Sequence, residues 1–176
     1  MDQNTLKELH NGFQTAYINK DFPSSLAYKP QFVSNNYKMG KKVMASIEDE
    51  LLACDHFQIS VAFITMGGIT PLLQTLSELE KRNIKGEILT TNYQDFSQPW
   101  ALKKLQGFKN ITLKMYDSHA ANDNFHTKGY IFENAEIYRI IIGSSNLTQD
   151  ALTKNIEWNT RLVSTEKGEM LGTLIN

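Results

Sequence analysis

Apolar residues recur along this chain at two spacings, and the change from one to the other divides it. Over residues 2–18, Leu6, Leu9, Phe13 and Ala16 return every three or four positions, which predicts one face of a helix. Residues 19–39 lose this period, and Pro23, Pro30 and scattered Asn and Ser predict an irregular arm. A core domain is expected over 40–176, with residues 1–39 as its N-terminal helix and arm. Val43, Met44, Ile47, Leu51 and Leu52 restore the helical stripe and predict a helix over 40–54. Alternation then takes over. Phe57, Ile59, Val61 and Phe63 are separated by single residues, as in a strand with one buried face.

Gly67-Gly68-Ile69-Thr70-Pro71 predicts a helix start, with Pro71 in the first turn and the helix running to Asn83. Strands are predicted over 84–90 and 111–116, with a short helix over 99–107 between them. This β-α-β-α-β order favours a sheet with helices on its faces. After Asp117 a polar loop covers 118–124. Three closely connected strands follow, over 125–132, 137–142 and 156–163, with a helical turn over 147–153 between the last two. Residues 166–175 begin another helix. The expected class is α/β, a mixed β-sheet flanked by helices.

Composition narrows the function classes. A length of 176 residues suits one domain. Eighteen basic residues against 19 acidic ones leave a net charge of -1, which excludes a polybasic protein held to its partner by bulk charge. Any anion site must therefore be local. A single cysteine, Cys54, excludes an intrachain disulfide framework and a cysteine-based zinc cluster. The longest apolar runs, Leu51–Cys54 and Val61–Ile64, fall far short of the ~18 residues of a membrane span. The first residues, MDQNTLKELHNGF, lack a basic segment followed by an apolar one, so a reducing, cytoplasmic setting without a membrane is expected.

The residues that carry chemistry lie in the second half. In Phe125-His126-Thr127-Lys128-Gly129-Tyr130-Ile131-Phe132, a strand would project His126 and Lys128 from one face and Thr127 from the other. An imidazole and an ammonium held together call for an anion between them, and a phosphate would serve. A predicted strand then runs into Gly143-Ser144-Ser145-Asn146 and a helix. Small residues at such a turn let backbone N–H groups approach an anion, with Asn146 adding an amide donor. In Ile156-Glu157-Trp158-Asn159-Thr160, Glu157 and Asn159 would share a face, and a carboxylate near a histidine fixes its tautomer.

Taken together, His126-x-Lys128, Gly143-Ser144-x-Asn146 and Glu157 resemble the HKD motif of the phospholipase D-like superfamily. The resemblance spans about residues 57–165. Twenty positions separate His126 from Asn146 and eleven separate Asn146 from Glu157, which suits the nuclease branch. The full motif has Asp five positions after the Lys, where this chain has Glu133. The runs Ser60–Thr65 and Ile88–Phe96 are similar to the N-terminal phospholipase D-like module of certain bacterial DEAD/DEAH-type helicases, and to the catalytic domain of metal-independent restriction endonucleases. No Walker A sequence is present, so a helicase motor is expected, if anywhere, beyond residue 176 of a longer protein.

The resemblance implies a metal-independent phosphodiesterase acting on nucleic acid, DNA rather than RNA, with no cofactor and no metal. One motif per chain implies a homodimer with the site on its two-fold axis. It implies His126 as nucleophile, Lys128 and Asn146 on the phosphate oxygens, and Glu157 orienting His126. Ser144, Ser145 and Asn159 are the expected further substrate contacts. The alternative is a non-catalytic nucleic-acid-binding module of a helicase or of a restriction or repair protein. Other residues are read as structural or solvated. Asp117, His119 and Asp123 form a surface loop bordering the groove, and Gly67-Gly68 alone is weak as a phosphate site. Lys103, Lys104, Lys109 and Lys114 form a modest basic cluster that a solvated helix face explains equally well. Tyr93 and Phe96 anchor a loop, with base stacking as the alternative, and Trp158 is expected in the core.

Overall fold

A computed structural model describes residues 1–175. Helix α1 (Gln3–Tyr17) is capped by Asp2, whose carboxylate accepts from the Thr5 N–H. The arm that follows contains a short strand, β1 (Gln31–Val33), where only irregular chain is predicted. Its three residues pair with a later strand, so the tertiary partner supplies the order that the local sequence lacks. Then come α2 (Val43–Ala53), β2 (His56–Val61), α3 (Met66–Ile69), α4 (Leu73–Lys81) and β3 (Lys85–Thr91). The helix predicted from Gly67 to Asn83 is thus broken, with a 3-10 turn at Thr70–Leu72 carrying Pro71. Helix α5 (Pro99–Gln106) leads to β4 (Ile111–Tyr116). The expected polar loop after Asp117 holds one helical turn, α6 (Ser118–Ala121), capped by the Asp117 carboxylate. The chain continues through β5 (Lys128–Asn134), β6 (Ile137–Gly143), α7 (Gln149–Thr153), β7 (Asn159–Thr165) and α8 (Glu169–Ile175).

The strands form one mixed sheet in the order β1-β7-β6-β5-β2-β3-β4. Strands β2, β3 and β4 run parallel, as the intervening helices require. Strand β5 joins β2 antiparallel, and β6, β7 and β1 continue antiparallel. The alternation read in β2 is realised: Phe57, Ile59 and Val61 are buried, while His56, Gln58 and Ser60 are only half-buried. Phe57 and Ile59 face Phe132 and Tyr130 of β5 in register. Together with Val43, Ile47 and Leu51 of α2 and residues of α3, α4 and α5, they form the core on one face of the sheet. The opposite face is more open. Gln58, Ser60, Leu89, Gly129, Ile131 and Ile142 line a depression of ≈ 440 Å³ there, edged by Leu174 of α8.

Beneath β6 and β7 the core admits one charged cluster. Glu50 of α2 lies 2.6 Å from Arg161 and 3.6 Å from Arg139. The Arg161 guanidinium also donates to the Leu26 and Ala27 carbonyls, which ties the N-terminal arm to the sheet. No helix among the described residues is long and apolar enough to cross a membrane.

Candidate active site

Strands β2, β3, β4 and β6 end at the same rim where β5 and β7 begin, and the chemistry-bearing residues collect there. Strand β5 starts at Lys128, so His126 stands just before it rather than within it. Its segment is still held to β2. The Ala62 N–H donates to the Thr127 carbonyl at 3.1 Å, and the Thr127 and Ser60 hydroxyls meet at 2.7 Å. Thr127 therefore turns away from Lys128, as the strand reading requires. The Lys128 ammonium lies 2.8 Å from His126 Nδ1 and 2.9 Å from the His126 carbonyl. An ammonium offers only donors, so Nδ1 accepts and a neutral ring carries its proton on Nε2. Partial burial pushes the Lys128 pKa below the ordinary lysine value, and the Glu157 charge opposes that shift.

The turn after β6 is held on three sides. The Ser144 N–H donates to the Trp158 carbonyl at 3.1 Å, and the Ser145 N–H donates to Asn159 Oδ1 at 3.2 Å. The Leu147 N–H donates to the Phe63 carbonyl at 3.1 Å, and the Thr65 N–H returns to the Leu147 carbonyl at 3.1 Å. The backbone donors of Ser144, Ser145 and Leu147 are thus engaged within the fold, not aimed at an anion as the sequence suggests. The Asn146 side chain keeps a donor at this turn instead. Asn146 Oδ1 accepts from the Phe63 N–H at 3.1 Å, which fixes the amide and leaves its NH₂ end as the donor.

Glu157 is buried at 8% exposure and accepts from the Ser144 hydroxyl in a short hydrogen bond. The expected bond from Glu157 to a His126 ring nitrogen does not occur among the described residues; the ring's Nδ1 is occupied by Lys128. Glu157 also lies before β7, outside the strand on which it was expected. Ser145 and Asn159 differ further from expectation. Both are buried, at 0% and 2% exposure, and the Asn159 amide donates to Ser145 Oγ at 2.9 Å and to the Val33 carbonyl at 3.2 Å. They shape the turn and anchor β1, and neither side chain is open to a substrate. Ser144 is exposed.

Two contributors were missed. Tyr130 is fully buried, and its hydroxyl donates to the Ser145 carbonyl at 2.8 Å. Burial and the nearby Glu157 raise its pKa far above the ordinary value, so the donor stays protonated. Its place two residues after Lys128 on an inward-facing position was the available signal, since a buried tyrosine hydroxyl needs a partner. Phe63 is the second. Its ring lies 6.1 Å edge-on from that of His126 and 5.0 Å from Phe96, which is 60% exposed.

Glu133, the acid five positions after Lys128, sits at the other end of β5, roughly 16 Å along the strand. It lies 4.0 Å from His56, away from the rim. Gly67 and Gly68 serve packing. A side chain on Gly68 would collide with the backbone of Leu147 and Thr148, so α3 can lie directly on the turn that carries Asn146. Trp158, expected in the core, is 71% exposed. Among the described residues, no group of three or more His, Cys, Asp or Glu side chains is arranged to hold a metal ion.

A family model described as a cardiolipin synthase, PLD-like domain, matches residues 51–171. No curated protein matches the chain. Among solved structures, NucT from Helicobacter pylori superposes with a TM-score of 0.62 at 17% identity, covering 84% of this chain and 91% of that one. Nuc from Salmonella typhimurium, a phospholipase D family member, gives 0.61 at 16% identity, covering 84% and 90%. Yeast tyrosyl-DNA phosphodiesterase gives 0.51 at 14% identity, covering 80% of this chain and 33% of that one. The seven-stranded mixed sheet is the fold these proteins share, and with more than half its length matched by the family model the chain belongs to the phospholipase D-like superfamily.

Proposed function

We propose that this chain is a phosphodiesterase of the nuclease type, acting on nucleic acid without a metal and through a covalent phosphohistidine. The observation that carries the reading is the convergence on one rim of His126, Lys128 and the anchored amide of Asn146, with Ser144 and buried Glu157 beside them. These donors are an ammonium and an amide, which match phosphate oxygens directly. The name of one similar solved structure, a tyrosyl-DNA phosphodiesterase, supports a DNA phosphodiester as substrate.

One chain supplies one histidine, and His126 is exposed. A two-fold dimer would bring a second His126 to the same phosphate. In the first step, Nε2 of one His126 attacks phosphorus. The P–N bond forms, the P–O bond to the leaving group breaks, and the second His126 gives its proton to the departing oxygen. In the second step that ring takes a proton from water, the water oxygen bonds to phosphorus, and the P–N bond breaks. Lys128 and Asn146 hold the non-bridging oxygens. In the free protein Lys128 rests on Nδ1 and keeps the ring proton on the attacking nitrogen. A bound phosphate would draw Lys128 away and free the ring to shift that proton to Nδ1. Glu157 acts through Ser144 and through its charge near Lys128. The resemblance to helicase-linked modules supports service to a motor elsewhere in a longer protein.

The test is cleavage of plasmid and oligonucleotide DNA in EDTA. Cleavage is expected to persist with chelator and to vanish in His126→Ala, with a phosphorylated histidine that survives an alkaline quench and is lost in acid. Complete loss of activity in EDTA, or wild-type cleavage by His126→Ala, would overturn the mechanism. DNA binding with no cleavage under any condition would favour a recognition module.

A further inference from the structure

The chain that follows Ser144 across the turn exposes a cluster of large apolar side chains. Ile156 is 92% exposed, Trp158 71% and Phe32 63%. The rings of Phe32 and Trp158 meet edge to face with centroids 5.8 Å apart. Trp158 is fixed there by its backbone, since its N–H donates to Ser144 Oγ at 3.1 Å and its carbonyl accepts the Ser144 N–H at 3.1 Å. Trp158 is thus held at the turn that carries Ser144, with its indole against Phe32. Large apolar side chains clustered in solvent mark a contact surface.

Charge indicates what that surface contacts. Between Asp21 and Glu48 the chain carries Lys29, Lys38, Lys41 and Lys42 and no acidic residue, although its net charge is -1. Lys38, Lys41 and Lys42 are exposed. Their loop is pinned beside the aromatic patch. The Asn35 amide donates to the carbonyls of Ala151 at 2.8 Å and Asn155 at 2.9 Å, and its Oδ1 accepts from the Val43 N–H at 2.9 Å. Asn36 and Lys41 close the loop as a backbone bridge. Phe32 precedes this segment, the lysines follow it, and Asn35 ties it to the residue before the Ile156–Trp158 turn.

We propose that this surface is a track for single-stranded nucleic acid leading to His126 and Lys128, with bases stacked on Trp158 and Phe32 and phosphates passing Lys38, Lys41 and Lys42. The proposal rests on the nucleic-acid phosphodiesterase reading and specifies the form of its substrate. Stacking on a side chain requires a base whose face is free, which a strand offers and an intact duplex does not. A second copy is the other candidate occupant. A two-fold contact places the same patch on both sides, so loops of lysine without acids would face like charge.

The test uses Trp100→Phe as background. The chain has two tryptophans, so Trp158 then reports alone. Titration with a short oligothymidylate is expected to quench its emission saturably, and a duplex of equal length to quench it far less. Trp158→Ala is expected to weaken single-strand binding about tenfold or more, and Trp158→Phe to retain most of it. Lys41→Gln with Lys42→Gln should lower the salt slope by about 0.7 for each of the two lysines that meets a phosphate. Equal affinity for strand and duplex, or unchanged single-strand affinity in Trp158→Ala, overturns the track. So does conversion of a dimer to a monomer by Trp158→Ala with strand affinity unaltered per subunit. Hydrolysis of bis(p-nitrophenyl) phosphate by the unaltered protein reports separately on the underlying reading. Its absence with oligonucleotide quenching intact strikes the catalytic reading and leaves the track standing.

Discussion

Lys128 is the residue on which stability and chemistry oppose each other. Its pKa is lowered by burial, so the fold disfavours the charged form that the proposed phosphate site needs. Between the folded and the unfolded pKa, the unfolded chain binds more protons, so the contribution of this group to stability rises with pH through that window and is absent below it. At pH 7 the charged side chain is held against that cost. Lys128→Met is therefore expected to leave the Tm at pH 7 unchanged or higher while reducing cleavage by a factor of about 100 or more. Paired melts and rate measurements check this, and a marked fall in Tm would show Lys128 to be structural. In the unaltered protein, the alkaline limb of the kcat/KM profile should begin below the ordinary lysine range. Tyr130→Phe makes the complementary case. It removes the hydroxyl from the Ser145 carbonyl, leaves a buried acceptor unpaired and should cost about 1–3 kcal/mol in a denaturant titration.

At the scale of elements, the packing of α3 on the turn after β6 links the fold to the site. Gly68→Ala would press a methyl group into the Leu147 backbone and displace Asn146 with it. Cleavage is expected to fall more than stability, read as a rate loss of tenfold or more with the protein still folded by circular dichroism. Much of this level was legible in the sequence. Alternation in Phe57–Val61 and the spacing of Leu6, Leu9 and Phe13 report local burial directly, and β2 and α1 appear where those patterns lie. His126, Lys128 and Asn146 were legible because their residue types and spacing are unusual together. What escaped depends on distant partners. Strand β1 exists only because β7 accepts it. The burial of Ser145 and Asn159 follows from their bonds to each other and to Val33, which no local pattern announces. Trp158 is expected in the core because it falls on the opposite strand face from Glu157, and its exposure follows from a tertiary contact, with Phe32 of β1, that local alternation does not report.

For the whole molecule, the Glu50 cluster joins α2, β6, β7 and, through Arg161, the N-terminal arm. Glu50→Ala would leave two guanidinium groups without their counter-ion and should cost about 3–5 kcal/mol by chemical denaturation, whereas an exposed pair such as Lys154 with Asp150 should be worth less than about 1. The near-zero net charge bears on association in another way, since two copies would meet without strong overall repulsion. Under the proposed two-fold mechanism, the exposed His126 makes output a property of the population rather than of the chain. If each working centre draws one histidine from each of two copies, dilution below the dimer Kd lowers the rate with the square of concentration. Mixing equal amounts of active protein and His126→Ala, allowed to exchange subunits, leaves about a quarter of the dimers with both histidines. An inactive copy would then silence its active neighbour, so that a cell producing both would lose more activity than half.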